Sequence, residues 1–537
     1  MIMEFLEGPV LALIAVRMLF VVSSLFYLVQ RYRVDLQMMQ QNSYRNERYF
    51  RWWRTNSDYM SPSRLVDLAV LLLLFSQFHL LVKVGVATIV FAVKGIALSR
   101  KKYKKPLVMT RRVWRLLITM LVLTVFAVIP VAVAYYYLFD IGIVTVVAVL
   151  ATFSWAVTAA CNWAMKPVER AINKSFIDDA KRILAQMPDM KIIGITGSYG
   201  KTSTKHYLYR ILSEQYDVLM TPGSFNTPMG VVRTVREMLK PYNQVFIVEM
   251  GAKQIGDIKE ICDIVHPQMA VITAVGEQHL ESFKTIENVQ RTKFELVDAL
   301  PDDGFAVVNN DFEYVANREV NNVKAVRYAV RATEHADYVA ADIEYSAFGT
   351  RFTIKGEGRS VALETRLVGE CNISNLMAAV IVAMRLGVSD DKIRYAVSKI
   401  EQVEHRLNMK RTAGGVTIID DAFNSNPDGS RMALDVLSRM KGGKRIVVTP
   451  GMIELGDKQD YHNEHFGEHI AKSVDVAIIV GQYNREAILR GLQNAGMTDE
   501  EKVITVDTFA QAQQRLSSLL ASGDTVLYEN DLPDTFK

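Results

Sequence analysis

The stretch Gly194-Ile195-Thr196-Gly197-Ser198-Tyr199-Gly200-Lys201-Thr202 carries the residue types that can cradle a phosphate chain. Glycines let backbone amides approach phosphate oxygens, and a helix amino terminus adds partial positive charge. A lysine at this spacing reaches the outer phosphates, and the threonine hydroxyl can coordinate magnesium. The strict Walker spacing would put glycine at position 195, where this chain has isoleucine, so the pattern is the shorter G-x-x-G-K-T form. Such a loop needs a strand before it and a helix after it.

The surrounding residues provide both. Short apolar strands at 191–196, 245–249 and 269–273 alternate with amphipathic helices at 202–214 and 255–265, the signature of a parallel sheet with crossover helices. Glu249 ends one of these apolar runs downstream of the loop, which suits a metal ligand better than a solvated carboxylate. Further on, His279 stands in His279-Leu280-Glu281 and Lys293 in Lys293-Phe294-Glu295. By residue type alone the first could be an ordinary loop histidine, and the second an exposed lysine on a charge-rich helix.

At 537 residues the chain is too long for one ordinary core and implies three or so domains. Its apolar half is unevenly spread: long apolar runs fill roughly the first 165 positions, and the remainder has the mixed texture of a soluble enzyme. The net charge of +4 points to no polyanion and hence to no nucleic-acid partner. Cys161, Cys262 and Cys371 lie far apart without metal-ligand spacing and read as packing residues of a reducing compartment.

The amino-terminal run reads as a retained anchor, because Glu4 and Glu7 precede it without a basic residue. Residues 10–29 include thirteen Val, Leu, Ile or Phe, each worth roughly −0.3 to −0.6 kcal/mol toward insertion, against about +2.5 to +3.5 for Arg17. Further apolar blocks cover 65–98, 113–138 and 141–163, the last two separated only by Phe139 and Asp140 and so expected to form a tight hairpin. Arginines at 31–54 and basic residues at 101–112 should both be cytoplasmic. That requires an even number of crossings between them, so about five spans are expected, with the 65–98 block bent near 77–83; three spans with a re-entrant second block is the competing arrangement. Lys166, Arg170 and Lys174 keep the following segment cytoplasmic. It contains a helical connector with Ile172, Phe176, Ala180 and Ile183 on one face.

The phosphate loop is followed in order by Ser224-Phe225-Asn226-Thr227-Pro228-Met229-Gly230, Glu249-Met250-Gly251, the His279 and Lys293 motifs, Gly369-Glu370-Cys371-Asn372-Ile373-Ser374-Asn375, His405-Arg406-Leu407 and Asp420-Asp421-Ala422-Phe423-Asn424-Ser425-Asn426-Pro427. In this order the chain resembles the Mur ligases from Lys191 onward, most closely the MurF-like branch that adds D-alanyl-D-alanine to UDP-muramoyl tripeptide. The resemblance implies ATP and Mg2+ as cofactors. It also implies a reaction in which ATP phosphorylates a substrate carboxylate and an incoming amine attacks the acyl phosphate. Gly197, Ser198, Gly200, Lys201, Thr202 and Ser203 would contact the nucleotide, with Asn372 at adenine, Asp421 at ribose and Arg406 closing from the hinge. Thr202, Ser224 and Glu249 would serve one magnesium; His279 and a carbamylated Lys293 would serve a second. Lys201, Lys293, His279 and Arg406 would form the catalytic group, with Asp420 the lesser of the aspartate pair.

The expected architecture is an α-helical membrane domain (1–163) and a connector helix (164–190), followed by two α/β domains: a P-loop Mur ligase central domain (191–403) and a Rossmann-like carboxyl-terminal domain (404–537). The active site should lie where the last two meet. The chain departs from the family in three places. Apolar spans replace the soluble domain that grips the UDP end of the substrate, Tyr528-Glu529-Asn530-Asp531-Leu532-Pro533-Asp534 stands where a Lys-Gly-Ser-Arg stretch is usual, and Cys371 stands where histidine is common. Three readings follow. The first is the D-alanyl-D-alanine adding step of peptidoglycan synthesis at the cytoplasmic face of a bacterial cell membrane. The second is a related ligase acting on a lipid-linked or polymeric carboxylate, such as poly-gamma-glutamate, with an amine donor. The third is a membrane scaffold or transporter with a regulatory nucleotide domain.

Overall fold

The computed structural model describes residues 2–55, 66–67, 69–70, 72–73, 78, 80–103, 105–134, 139–346, 349–422 and 425–532. They fall into two compact units that meet in sequence at Ile172 and Asn173.

The first unit is helical. Ile14–Gln41, Val82–Arg100 and Arg111–Pro130 are each long and apolar enough to cross a bilayer. Gly142–Thr152 and Ser154–Ala185, bent by 75° at their junction, make a fourth candidate if the pair counts as one span. About five spans were expected. A fifth would need the 65–79 segment, where 65, 68, 71, 74–77 and 79 lie outside the described residues. The expected bend near 77–83 falls partly there too. Phe139 and Asp140, read from the sequence as a turn, instead open the helix Phe139–Thr152, and 135–138 lie outside the described residues. The last apolar block is broken rather than continuous: at the break, Thr152 Oγ1 donates back to the Ala148 carbonyl at 2.8 Å, a bond that favours helix bending. Leu19, Ile89 and Phe126 are 63%, 65% and 70% exposed, an outward apolar surface that fits lipid better than water. Inside the unit, Tyr27 Oη donates to the Asp67 carboxylate at 2.8 and 2.9 Å, and Lys94 pairs with the same group.

The second unit, Asn173–Asp531, carries two sheets. In the first, β1 (Lys191–Thr196), β2 (Val218–Met220), β3 (Val245–Glu249), β4 (Met269–Ile272), β5 (Phe305–Asn309), β6 (Lys324–Ala329), β7 (Tyr338–Ser346), β8 (Gly349–Gly356) and β9 (Arg359–Thr365) lie in the order β2-β3-β1-β4-β5-β6-β7-β8-β9. Pairing is parallel from β2 through β7 and antiparallel at β8 and β9. β3 is buried along its whole length, as expected where helices cover both faces. The chain leaves β1 to build one side of the sheet, then crosses to β4 on the other, so strand order reverses at β1. Crevices outside the carboxyl ends of strands at such a reversal bind ligands, and the phosphate loop begins there.

The helix Lys201–Leu212 buries Tyr207, Leu208, Ile211 and Leu212 in one cluster with Ile193 and Ile195 of β1 and the helix Glu370–Arg385. On the opposite face Ala180 is buried, with Phe176 and Ile183 packed beside it, among Ile192 and Phe246. The connector is therefore the end of the helix Ser154–Ala185, with Pro167 inside it, rather than a separate element.

The second sheet contains β10 (Asn408–Arg411), β11 (Thr417–Asp421), β12 (Arg445–Thr449), β13 (Val476–Val480), β14 (Val503–Val506) and β15 (Thr525–Glu529) in the order β10-β11-β15-β12-β13-β14, parallel except at β10. Leu434 and Leu437 of the helix Pro427–Ser438 and Phe466 and Ile470 of the helix Gln459–Ser473 cover Ile419, Val447 and Leu527. Ala512 and Leu516 of the helix Phe509–Leu519 cover Ile446, Ile478 and Val526 on the other face. Between the sheets, His405 and Leu407 take left-handed backbone angles, φ 57° and 46°. For leucine this is a strained conformation, which marks 405–407 as a special joint.

Candidate active site

The glycine turn after β1 is shaped by close approach. A Cβ on Gly197 would lie 2.1 Å from Thr273 Oγ1, and one on Gly200, at φ 81°, would lie 2.4 Å from Asn375 Oδ1. Ser198 Oγ donates to the Gly276 carbonyl at 2.9 Å and accepts from the Gly276 amide at 3.0 Å. The hydroxyl of Ser198, a residue predicted to contact nucleotide, therefore fastens the loop to the 276 segment. Ser203 lies buried on the wall of the same cleft. Lys201 folds back over its own loop, with Nζ donating to the carbonyls of Gly197 at 2.6 Å and Ser198 at 3.1 Å. Desolvation lowers its pKa from 10.5 to about 8, against the attraction of Glu249.

A consequence for nucleotide binding follows. Phosphate oxygens need the ammonium form, and the free protein loses that proton above about pH 8. Affinity for magnesium ADP should therefore decline above that pH by up to about tenfold per unit. Calorimetric titration from pH 7 upward checks this, and an affinity that stays flat to about pH 9.5 would contradict it.

Glu249, 1% exposed, ends β3 beside the loop and pairs in register with Ile195 of β1. Its Oε1 accepts from Thr202 Oγ1 at 3.1 Å and Asn226 Nδ2 at 3.2 Å. Its Oε2 faces the Lys205 ammonium at 2.9 Å but receives no well-aligned hydrogen bond among the described residues. Lys205 Nζ also donates to the Gly223 carbonyl at 2.6 Å. Burial raises the Glu249 pKa, yet Lys205, Lys201 and Asn226 outweigh it and hold the carboxyl below its ordinary range. A buried, ionised carboxylate whose Oε1 meets a threonine hydroxyl beside a phosphate loop fits magnesium. Ser224 is exposed in the neighbouring loop and lines a second cavity with Thr202; the loop residue that reaches Glu249 is Asn226. Sequence reasoning assigned a role to neither Asn226 nor Lys205. The only available signal for Lys205 was a lysine four places after Lys201, on the helix's inner face.

Removing one partner of a buried ion pair costs about 3–5 kcal/mol. Lys205→Met should lower unfolding stability by that order. The double variant Lys205→Met/Glu249→Gln should recover most of the loss, as read from denaturant unfolding. No recovery in the double variant would mean that the pair is not what the single change breaks.

His279, at φ 54°, turns its Nδ1 onto the carboxylate of Glu454, which comes from the loop after β12. Burial lowers its pKa, opposed by Glu454. Lys293 is 2% exposed on the helix Ile286–Asp298. Desolvation, reinforced by Lys201, holds its pKa well below 10.5, so the amine is poised to be neutral. Among the described residues no three His, Cys, Asp or Glu side chains gather into a metal cage. The predicted ligands are not of that kind, since hydroxyls and a modified lysine accompany Glu249 and His279.

The remaining predicted residues line one cleft, about 850 Å3 with its open mouth, between the two sheets. Asn372 Oδ1 accepts from Tyr207 Oη at 2.8 Å, and its Nδ2 donates to the Val368 carbonyl at 2.8 Å, which fixes the amide. Cys371 lies on the wall, its thiol pKa raised by burial to about 12, so it is unreactive. Burial lowers the Arg406 pKa, opposed by the charges of Asp421 and then Glu249. Asp421 Oδ1 accepts from the Leu407 amide at 3.1 Å, and burial raises its pKa to about 6. Asp420 is occupied by His405 at 2.7 Å and the Ala422 amide at 3.3 Å, consistent with a lesser role. Glu529, beside Asp421 in register, also lines the cleft. It accepts from Ser425, and burial followed by Asp421 raises its pKa well above 4.5. Its only trace in the sequence is the departure from the usual basic stretch.

Comparison with known proteins agrees with this geometry. The Mur ligase middle domain matches residues 195–383, and the Mur ligase glutamate ligase domain matches 405–528. Relatives named UDP-N-acetylmuramoyl-tripeptide–D-alanyl-D-alanine ligase include those of Escherichia coli, 28% identical over 65% of this chain and 77% of theirs, and Mycobacterium bovis, 30% identical over 63% and 70%. The Bacillus subtilis enzyme is 32% identical, but the matched region spans only 59% of its length. Among solved structures, MurF of Acinetobacter baumannii matches 67% of this chain and 77% of its own with TM-score 0.61 at 28% identity. MurF of Thermotoga maritima, in complex with ADP, matches 67% and 80% with TM-score 0.60 at 25% identity. With a phosphate loop at the sheet reversal, a threonine and a glutamate beside it and both family domains in sequence, the chain belongs to the Mur ligase family of ATP-dependent ligases.

Proposed function

We propose that this chain is a membrane-anchored ligase that joins D-alanyl-D-alanine to UDP-muramoyl tripeptide, with its catalytic domains in the bacterial cytoplasm. The observation that carries the reading is the Lys201, Thr202 and Glu249 cluster in the same turn and helix start whose Gly200 and Ser203 line a cleft shared by both α/β domains. The names of the relatives supply the substrates. Magnesium ATP, when bound, supplies the phosphoryl group that activates the substrate carboxylate. Lys201 exchanges the carbonyls of its own loop for outer phosphate oxygens, a charge-assisted contact stronger than the one it leaves. Thr202 and Glu249 would hold one metal ion, with Lys205 balancing the Glu249 charge, and His279 and Lys293 would serve the other. Arg406 closes on the nucleotide from the joint, and Asn372 and Asp421 orient its base and sugar. Catalysis here is chiefly positioning and charge stabilisation.

The apolar helices are read as an anchor with the basic clusters at 31–54 and 101–112 inside. They, together with Glu529 in the cleft, favour a second reading, a ligase for a lipid-linked or polymeric carboxylate. The test offers the full chain UDP-muramoyl tripeptide, D-alanyl-D-alanine and magnesium ATP and follows the pentapeptide product by mass. Amide formed only on another carboxylate would replace the first reading with the second. Brisk phosphate release without any carboxylate would overturn both in favour of a regulatory nucleotide domain.

A further inference from the structure

The carboxylate facing His279 does not come from the domain that carries the phosphate loop. His279 precedes the short helix Leu280–Phe283, whereas Glu454 follows β12 in the carboxyl-terminal domain, 175 residues on. Two further contacts seat the same loops on each other: the Glu281 amide donates to the Glu454 carbonyl at 3.2 Å, and Glu277 pairs with both Lys458 and His462. Both partners of the central contact hold left-handed backbone angles, φ 54° at His279 and 64° at Glu454. Such conformations cost energy at non-glycine residues and persist where the surroundings impose them. The strain here aims the two side chains at each other.

A carboxylate on Nδ1 fixes the tautomer: Nδ1 keeps its proton, and the lone pair is left on Nε2. Metal-binding histidines are commonly prepared in this way by a carboxylate on the far nitrogen. We infer that Glu454 is a positioning residue that makes His279 competent to bind the second metal ion, and that it does so only when the carboxyl-terminal domain is docked. Docking and metal readiness are then one event. The second ion is captured once the two domains are docked, and an undocked enzyme does not form that centre. The inference rests on the reading of His279 as a ligand.

The test uses the full chain with 15N-labelled histidine, free of metal, and assigns His279 by comparison with His279→Asn. Wild type should show Nδ1 protonated and Nε2 unprotonated. Glu454→Gln should keep that pattern, because its carbonyl still accepts from Nδ1, and Glu454→Ala should move the ring toward tautomer averaging. Manganese binding is then counted by electron paramagnetic resonance with a non-hydrolysable ATP analogue. Glu454→Ala should lose about tenfold in affinity at the weaker of two sites and keep the stronger, with Glu454→Gln in between. An unchanged tautomer in Glu454→Ala, or an unchanged weaker site, overturns the inference. A wild type that binds a single manganese overturns the ligand reading of His279, and with it the claim of metal readiness, while the tautomer result still decides whether Glu454 orients the ring.

Discussion

Lys201→Ala should reduce turnover by roughly three orders of magnitude, the upper range for losing one preorganised group that stabilises transition-state charge, while the protein stays folded. The second half of this expectation comes from the site. The ammonium donates to carbonyls of its own loop, and its folded pKa, about 8, lies below the ordinary 10.5. A lysine with a depressed folded pKa binds protons less readily in the folded than in the unfolded chain. Its charged form therefore opposes folding at neutral pH, and that opposition fades as pH rises through the window from about 8 to 10.5. Alanine removes the opposition, so stability at pH 7 should be unchanged or slightly higher. Amide formation measured beside denaturant unfolding checks both halves. Retained turnover would dismiss the phosphate role, and collapse of the fold would show that Lys201 is structural.

Lys293→Ala should lose about two to three orders of magnitude in activity and regain part of it with added short carboxylates such as acetate or formate. Carbamylation joins the uncharged amine nitrogen to the carbon of carbon dioxide and releases a proton, so it needs the neutral form. Burial and the nearby Lys201 charge favour that form. The product is a carboxylate-like group in place of a cation, which suits a site shared with His279 and a divalent ion. Alanine leaves a gap that a small carboxylate can enter. Depleting bicarbonate from the wild type should lower its activity reversibly, while the variant should not respond. If no carboxylate rescues and bicarbonate has no effect, the buried lysine acts as an amine and the carbamate reading is lost.

The phosphate loop was legible because it is local: nine consecutive residues encode strand end, tight turn and helix start, and β1 and the helix Lys201–Leu212 lie within two residues of expectation. The burial of β3 was equally legible, since an unbroken apolar run ending in one carboxylate has few other uses. Helix breaks in the first unit were harder to foresee. The 75° bend at the end of Gly142–Thr152 falls within an apolar run, and hydropathy does not register a side-chain hydroxyl captured by the preceding turn. Lys205 was hidden for a different reason. A lysine on an amphipathic helix is normally a solvated charge, and only the fold brings Glu249 and the Gly223 carbonyl to it.

By itself, the sequence determined the order of chemical groups, the family they resemble and the division into apolar helices and α/β domains, because each is written in short-range patterns of residue type. Tertiary structure alone decided which groups meet. Glu454 reaches His279 across 175 residues, Glu529 lies beside Asp421 across two neighbouring strands, and the Ser198 hydroxyl bonds to Gly276. Contacts of this kind depend on strand order and domain docking, and neither is encoded in the spacing of residues along the chain.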